Sequence, residues 1–130
     1  MEEQVITFLN EKLNPYLIVV FGSTAKGTDR VDSDLDIAYL SDQKIEKYER
    51  FMLGQELASL INKDVDLVDL NQASTVFAAQ IIQASKTILC RDDKRRMEFE
   101  MKTLKMYAKL NEEREIVIKR IEESGSIYEK

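Results

Sequence analysis

The run from Val19 to Leu40, VVFGSTAKGTDRVDSDLDIAYL, limits the folds open to this chain more than any other part of it. It reads as a strand, a tight turn at Gly22-Ser23, a polar loop, and a second apolar strand opened by Asp34 and Asp36. Side chains alternate across a strand, so the two carboxylates share a face, about 6.6 Å apart along it. Leu35, Ile37 and Tyr39 then point the other way and can enter a core. Like charges this close repel: at 4 Å and an effective dielectric near 20 the cost is roughly 4 kcal/mol. A fold keeps such a pair where the strand end is solvated, or where a divalent cation sits between the groups. Magnesium suits hard oxygen ligands and phosphate substrates, and one or two carboxylates often hold it.

A third carboxylate would complete such a site, and NKDVDLVDL offers three. Asp64 and Asp66 share one strand face, and Asp69 lies on the other. Asp66, flanked by Val65 and Leu67, is the best placed; Asp64 at the strand mouth is the fallback, and Asp69 reads as a solvent-facing or capping residue. The turn supplies the other half. Gly22 lets a ligand approach the backbone, and Ser23 offers a hydroxyl and an amide. If STAKG begins a short helix, its free amides and dipole favour a phosphate there. Lys26 and Arg30 are each candidates to add charge. Ser33 reads as a turn or capping residue.

Composition narrows the chemistry. The chain has 130 residues, enough for one domain with a modest core. There is no histidine, which removes catalytic triads, imidazole acid–base chemistry and most zinc sites. The net charge of −5 argues against general nucleic-acid binding. That charge is uneven: residues 1–90 carry −6 and residues 91–130 carry +1. A single cysteine, Cys90, forbids an intrachain disulfide and fits a reducing, cytoplasmic setting; it reads as a small buried hydrophobe ending a strand. The longest apolar run, YLIVVF, is about a third of a membrane span, so no membrane partner is expected.

The remaining pattern gives the order α-β-β-α-β-α-β-α, a small mixed sheet of about four strands with flanking helices, in the α+β (mixed α/β) class. Val5, Leu9 and Leu13 make a helical stripe that Asn14-Pro15 ends. Ser41 is a candidate N-cap for a helix whose apolar face would include Ile45, Tyr48, Met52, Leu53, Leu57, Leu60 and Ile61. From Asp93 a long helix is expected, with Met97, Met101, Leu104 and Tyr107 packed on the chain's own core or, further along, on a partner. RDDKRR reads as a solvated first helical turn or as a basic patch for RNA or an acidic partner, and GSIYEK as a frayed tail. The division is a core over residues 1–92 and a C-terminal helical extension over 93–130.

Gly22-Ser23, ten residues, then Asp34-Leu35-Asp36 resembles the G-S-x10-D-x-D signature of the DNA polymerase beta-like nucleotidyltransferase superfamily. Val65-Asp66-Leu67 looks like that superfamily's third catalytic carboxylate. The resemblance covers about residues 16–90, and the short length is similar to the minimal nucleotidyltransferase branch. It implies a nucleotidyltransferase-like fold, Mg2+ (one or two ions) held by Asp34, Asp36 and Asp66, and ATP held at Gly22, Ser23 and Lys26. The C-terminal part resembles members paired with HEPN-domain ribonuclease toxins. For those, the resemblance implies an antitoxin that transfers AMP from ATP onto a tyrosine of the toxin. Two rivals follow: an antitoxin that silences its toxin by binding alone, and nucleotidyl transfer to a small molecule.

Overall fold

The computed structural model describes residues 1–22 and 34–124. The element order is the expected one: α1 (Glu2–Leu13), β1 (Leu17–Phe21), β2 (Leu35–Leu40), α2 (Lys47–Ile61), β3 (Val65–Asp69), α3 (Thr75–Gln83), β4 (Lys86–Cys90) and α4 (Asp93–Ser124). The four strands form one sheet in the order β3-β2-β1-β4. Here β1 runs antiparallel to both β2 and β4, while β2 and β3 are parallel. The parallel pair is joined through α2, because parallel neighbours need a crossover long enough to return the chain to its starting end.

Alternation splits the sheet's side chains into two cores. On one face Ile18, Val20, Leu35, Ile37, Tyr39 and Leu67 meet Val5, Leu9 and Leu13 of α1 and Leu57 of α2. On the other, Leu17, Val19, Ala38 and Leu40 meet Ala78 and Ile81 of α3, with Phe99 of α4 alongside. Each fully buried leucine contributes about 1.5–3 kcal/mol of apolar burial. Covering both faces lets β1 and β2 read as near-continuous apolar runs.

Three expectations are corrected. Ser41 does not cap α2: its hydroxyl donates to the Leu13 carbonyl at the end of α1 and accepts from Gln43 N, and α2 begins only at Lys47. Asn14 ends α1 as expected, and does so in the left-handed conformation (φ 43°), its N–H donating to the carbonyls of Leu9 and Asn10. On α2, Leu53, Leu57 and Ile61 turn inward, whereas Tyr48, Met52 and Leu60 are exposed. A helix lying on one sheet face buries a narrower stripe than one sunk among other helices. Finally, Cys90 is exposed, since β4 is an edge strand.

The start of α4 is fastened by Arg91 and Arg95 of RDDKRR. Arg91 N donates to the Tyr16 carbonyl (2.8 Å) and its guanidinium to Asn14 Oδ1 (2.8 Å). Arg95 grips Asp42 through both nitrogens at 3.1 and 2.7 Å, and its guanidinium lies 3.9 Å from the centre of the Tyr16 ring. Arg96 pairs with Asp93 and Glu100, each at 2.6 Å. The cluster is thus a solvent-exposed first turn, as expected, and not a free basic patch, because Arg91, Arg95 and Arg96 are held by the chain's own acceptors. Beyond this clamp α4 lies on α3 through Phe99 and buried Thr103, one side round from the expected methionines, and Met97 and Met101 face outward. The tail beyond Ser124 lies outside the described residues.

Tyr39 is fully buried and its hydroxyl has no hydrogen-bond partner among the described residues. Burial, aided by the Asp69 charge, pushes its phenol up to about 12; Arg50 opposes this from nearby without reaching hydrogen-bonding geometry. An unmatched buried polar group costs on the order of 1 kcal/mol or more. Tyr39→Phe is therefore expected to stabilise the chain by about 1 kcal/mol, read as a higher urea midpoint at unchanged m-value.

Candidate active site

Register builds the site. Phe21, the last residue of β1, pairs with Asp36, and Asp36 pairs with Asp66 on the other side. Directly paired residues project to the same sheet face, so Asp36 and Asp66 stand side by side in adjoining strands. Asp34 lies one residue before β2 begins, on the approach to the same spot. Asp36 is half-buried, while Asp34 and Asp66 are exposed.

The three charges bear on one another. Burial first, then Asp66, then Asp34, raise the Asp36 carboxyl above its ordinary value of 3.8. Asp64 is not among those neighbours; its carbonyl accepts Leu35 N at 2.8 Å, and its part is to seat β3 against β2. Asp69 is buried rather than solvent-facing. Its side chain accepts from Asn71 N at 2.9 Å, capping the turn that leads to α3.

Gly22 closes the other side. It has φ +69°, a conformation that costs most side-chain-bearing residues about 1–2 kcal/mol. A Cβ there would also fall within contact distance of Asp36 Oδ2 and 3.3 Å from its Cγ. The sequence thus needs glycine at this position twice over, for the turn and for the carboxylate beside it. Ser23, Lys26, Arg30 and Ser33 lie outside the described residues.

Among the described residues no three acidic side chains converge as a preformed metal cage. The donor set nevertheless suits magnesium: hard carboxylate oxygens, with burial and then the Asp66 and Asp34 charges raising the Asp36 pKa and no lowering charge acting on it among the described residues. Magnesium is commonly held this way, by one or two carboxylates with water and substrate phosphate completing its shell.

Sequence reasoning missed the groove beside these carboxylates. It measures about 410 Å3 and runs along β3, between Lys47, Arg50 and Phe51 of α2 and Gln72 and Phe77 near the start of α3, with Asp66 in its wall. Phe51 is 58% exposed and Phe77 38%. Large aromatics standing off the core stripe were the available signal. Phe77 also meets Phe21 edge to face, ring centres 6.0 Å apart, tying the groove to the end of β1.

A mixed sheet with a glycine turn after one strand and carboxylates on the next two is the frame of a nucleotidyl-transferring enzyme, and the comparisons agree. The family description "Polymerase beta, Nucleotidyltransferase" matches residues 3–94, and the chain belongs to that family. It is 38% identical over 120 residues to protein adenylyltransferase MntA of Shewanella oneidensis, covering 90% of this chain and 84% of that protein. Its fold matches a crystal structure of a toxin–antitoxin complex with AMP-PNP at a TM-score of 0.83 and 36% identity, over 92% of this chain and 97% of that one. It also matches the antitoxin chain described with a tri-AMPylated Shewanella oneidensis HEPN toxin, at a TM-score of 0.77 and 34% identity, over 92% of this chain and 94% of that one. No helix among the described residues is long and apolar enough to cross a membrane.

Two outcomes are expected. Gly22→Ala should destabilise by about 2 kcal/mol, from backbone strain and the displaced Asp36 carboxylate, measured by denaturant unfolding. Asp36→Asn should stabilise the metal-free chain at pH 7. A folded-state pKa above the unfolded value adds stability below the unfolded pKa, and that contribution is lost as pH rises through the folded one. The charged side chain is therefore the destabilising form. Allowing for solvent screening, the gain is on the order of 0.5 kcal/mol, or about 2 °C in Tm, and it should vanish below about pH 4, where both states are protonated.

Proposed function

We propose that the chain is a protein adenylyltransferase that moves AMP from ATP onto a tyrosine hydroxyl of a HEPN toxin and so acts as its antitoxin. The observation that carries this is the register-fixed row of Gly22, Asp36 and Asp66, with Asp34 on its approach. The relatives that share the fold over nine-tenths of the chain supply the acceptor: one is described with an AMPylated HEPN toxin, another with an ATP analogue.

In this reading Gly22, Ser23 and Lys26 hold the triphosphate at the end of β1. Asp34, Asp36 and Asp66 would hold Mg2+, which when bound offsets phosphate charge and polarises the phosphate oxygens. The acceptor oxygen attacks the α-phosphorus; a new phosphorus–oxygen bond forms as the bond to the β-phosphate bridge breaks, and pyrophosphate leaves. The hydroxyl proton passes to a carboxylate, with Asp66 the one nearest the open edge. Catalysis is then chiefly positioning and charge neutralisation. The chain works in the cytoplasm, where exposed Cys90 stays reduced.

The test is transfer of label from α-labelled ATP, with magnesium, to the HEPN toxin. Intact protein is expected to label the toxin at substoichiometric amounts, and the Asp34→Ala/Asp36→Ala variant to lose at least about 1000-fold in rate. Silencing of the toxin by both versions, with no label on it, would return the reading to inhibition by binding alone.

A further inference from the structure

The β3 edge gives the acceptor a place to bind. Asp64 O and Leu70 N both bond across to β2, so the even-numbered residues of this stretch turn their peptide groups toward the sheet. Val65 and Leu67 therefore turn theirs to the opposite edge, where the sheet has no further strand among the described residues, while the Asp69 carbonyl there already accepts from Gln72 N and Ala73 N. All five residues of β3 line the groove, so it follows this open edge. Its polar features are unevenly spread. Arg50 donates to Gln72 Oε1 (3.2 Å) near the end of β3, with Lys47 one helical turn before it, while Asp66 lies near the start.

Strand order adds a direction. In a displacement at phosphorus the entering and leaving oxygens are roughly in line. With the triphosphate at the turn after β1 and the phosphorus over β2, the entering oxygen comes from the β3 side. That side is the groove.

We propose that this groove takes the acceptor as an extended segment of the partner protein, added beside β3 through the outward peptide groups of Val65 and Leu67. The inference rests on the adenylyl-transfer reading of the site. A tyrosine opposite Asp66 stands on the same sheet face as that carboxylate. Phe51 and Phe77 pack the apolar side chains of the segment, and Lys47 with Arg50 receives an acidic residue about three positions from the tyrosine, roughly 10 Å along the strand. Strand addition of this kind draws affinity from main-chain hydrogen bonds and specificity from side-chain pockets.

Amide hydrogen exchange on the full chain, free and bound to the HEPN toxin, tests this directly. The amides of Val65 and Leu67 are expected to slow by about 100-fold in the complex. Those of Asp66 and Val68, already turned to β2, change little and serve as the internal reference. In parallel, Lys47→Glu/Arg50→Glu should raise the KM for toxin about tenfold while leaving ATP binding unchanged. Val65 and Leu67 amides that stay fast in a complex that is being labelled would overturn the proposal and leave the adenylyl-transfer reading standing. Protection produced by Mg-ATP alone would assign the groove to nucleotide, and protection that grows with protein concentration alone would assign it to a second copy; either overturns it. Failure of the intact protein to label toxin, with these amides nonetheless protected, would sink the transfer reading and keep the docking edge.

Discussion

The parallel pairing of β2 with β3 is the constraint on which the rest of the structure depends. One residue of slip would send Asp36 and Asp66 to opposite faces and turn Ile37 or Leu67 out of its core. The register is secured from outside the site: Leu35, Ile37 and Tyr39 with Leu67 enter one apolar layer, and Ala38 and Leu40 enter the other. Two like charges are thereby held side by side against their repulsion by residues that never touch a substrate. Like charges opposite each other weaken a sheet, and here the apolar layers carry that cost.

The same pairing explains the position of the glycine. Because Phe21 pairs with Asp36, the residue after Phe21 must turn away at the height of the carboxylate, and any side chain there would contest its space. Turn, paired aspartates and third aspartate thus form a single geometric unit spread over three strands. The groove and the row of aspartates share Asp66, and the contact of Phe21 with Phe77 joins them again. Chemistry and recognition are built on adjoining parts of one rigid element.

Much of this was legible in the sequence because its period was simple. The β-branched runs at Leu17–Phe21 and Leu35–Leu40 made the strands and the mixed sheet legible, and alternation placed Asp34 and Asp36 on one face. Asp66 was separable from Asp64 by its apolar flanks, and Asp36 does feel Asp66 and not Asp64. The helices were read less well. Periodicity predicts that a helix has an apolar side, yet the breadth of the buried side depends on what covers it. Tyr48, Met52 and Met101 satisfy a helical spacing and still face outward. Ser41 had the chemistry of a cap, but the Leu13 carbonyl, 28 residues away in the chain, claimed its hydroxyl. The partners of RDDKRR were hidden for the same reason: its acceptors Asn14, Tyr16 and Asp42 come from distant positions that local pattern does not reveal.

The fastening of α4 has a further consequence. The helix runs 32 residues, about 48 Å at 1.5 Å per residue, and it is clamped near its beginning by Arg91 and Arg95. Its far half carries Leu110, Ile116, Val117 and Ile118 in the open. Substitutions there cost the fold little, because surface changes away from packed contacts usually shift stability by half a kcal/mol or less. The family match ends at residue 94, just inside this helix. Folding stability therefore places little constraint on the sequence of the distal helix, whereas the paired aspartates tie the sheet to its register.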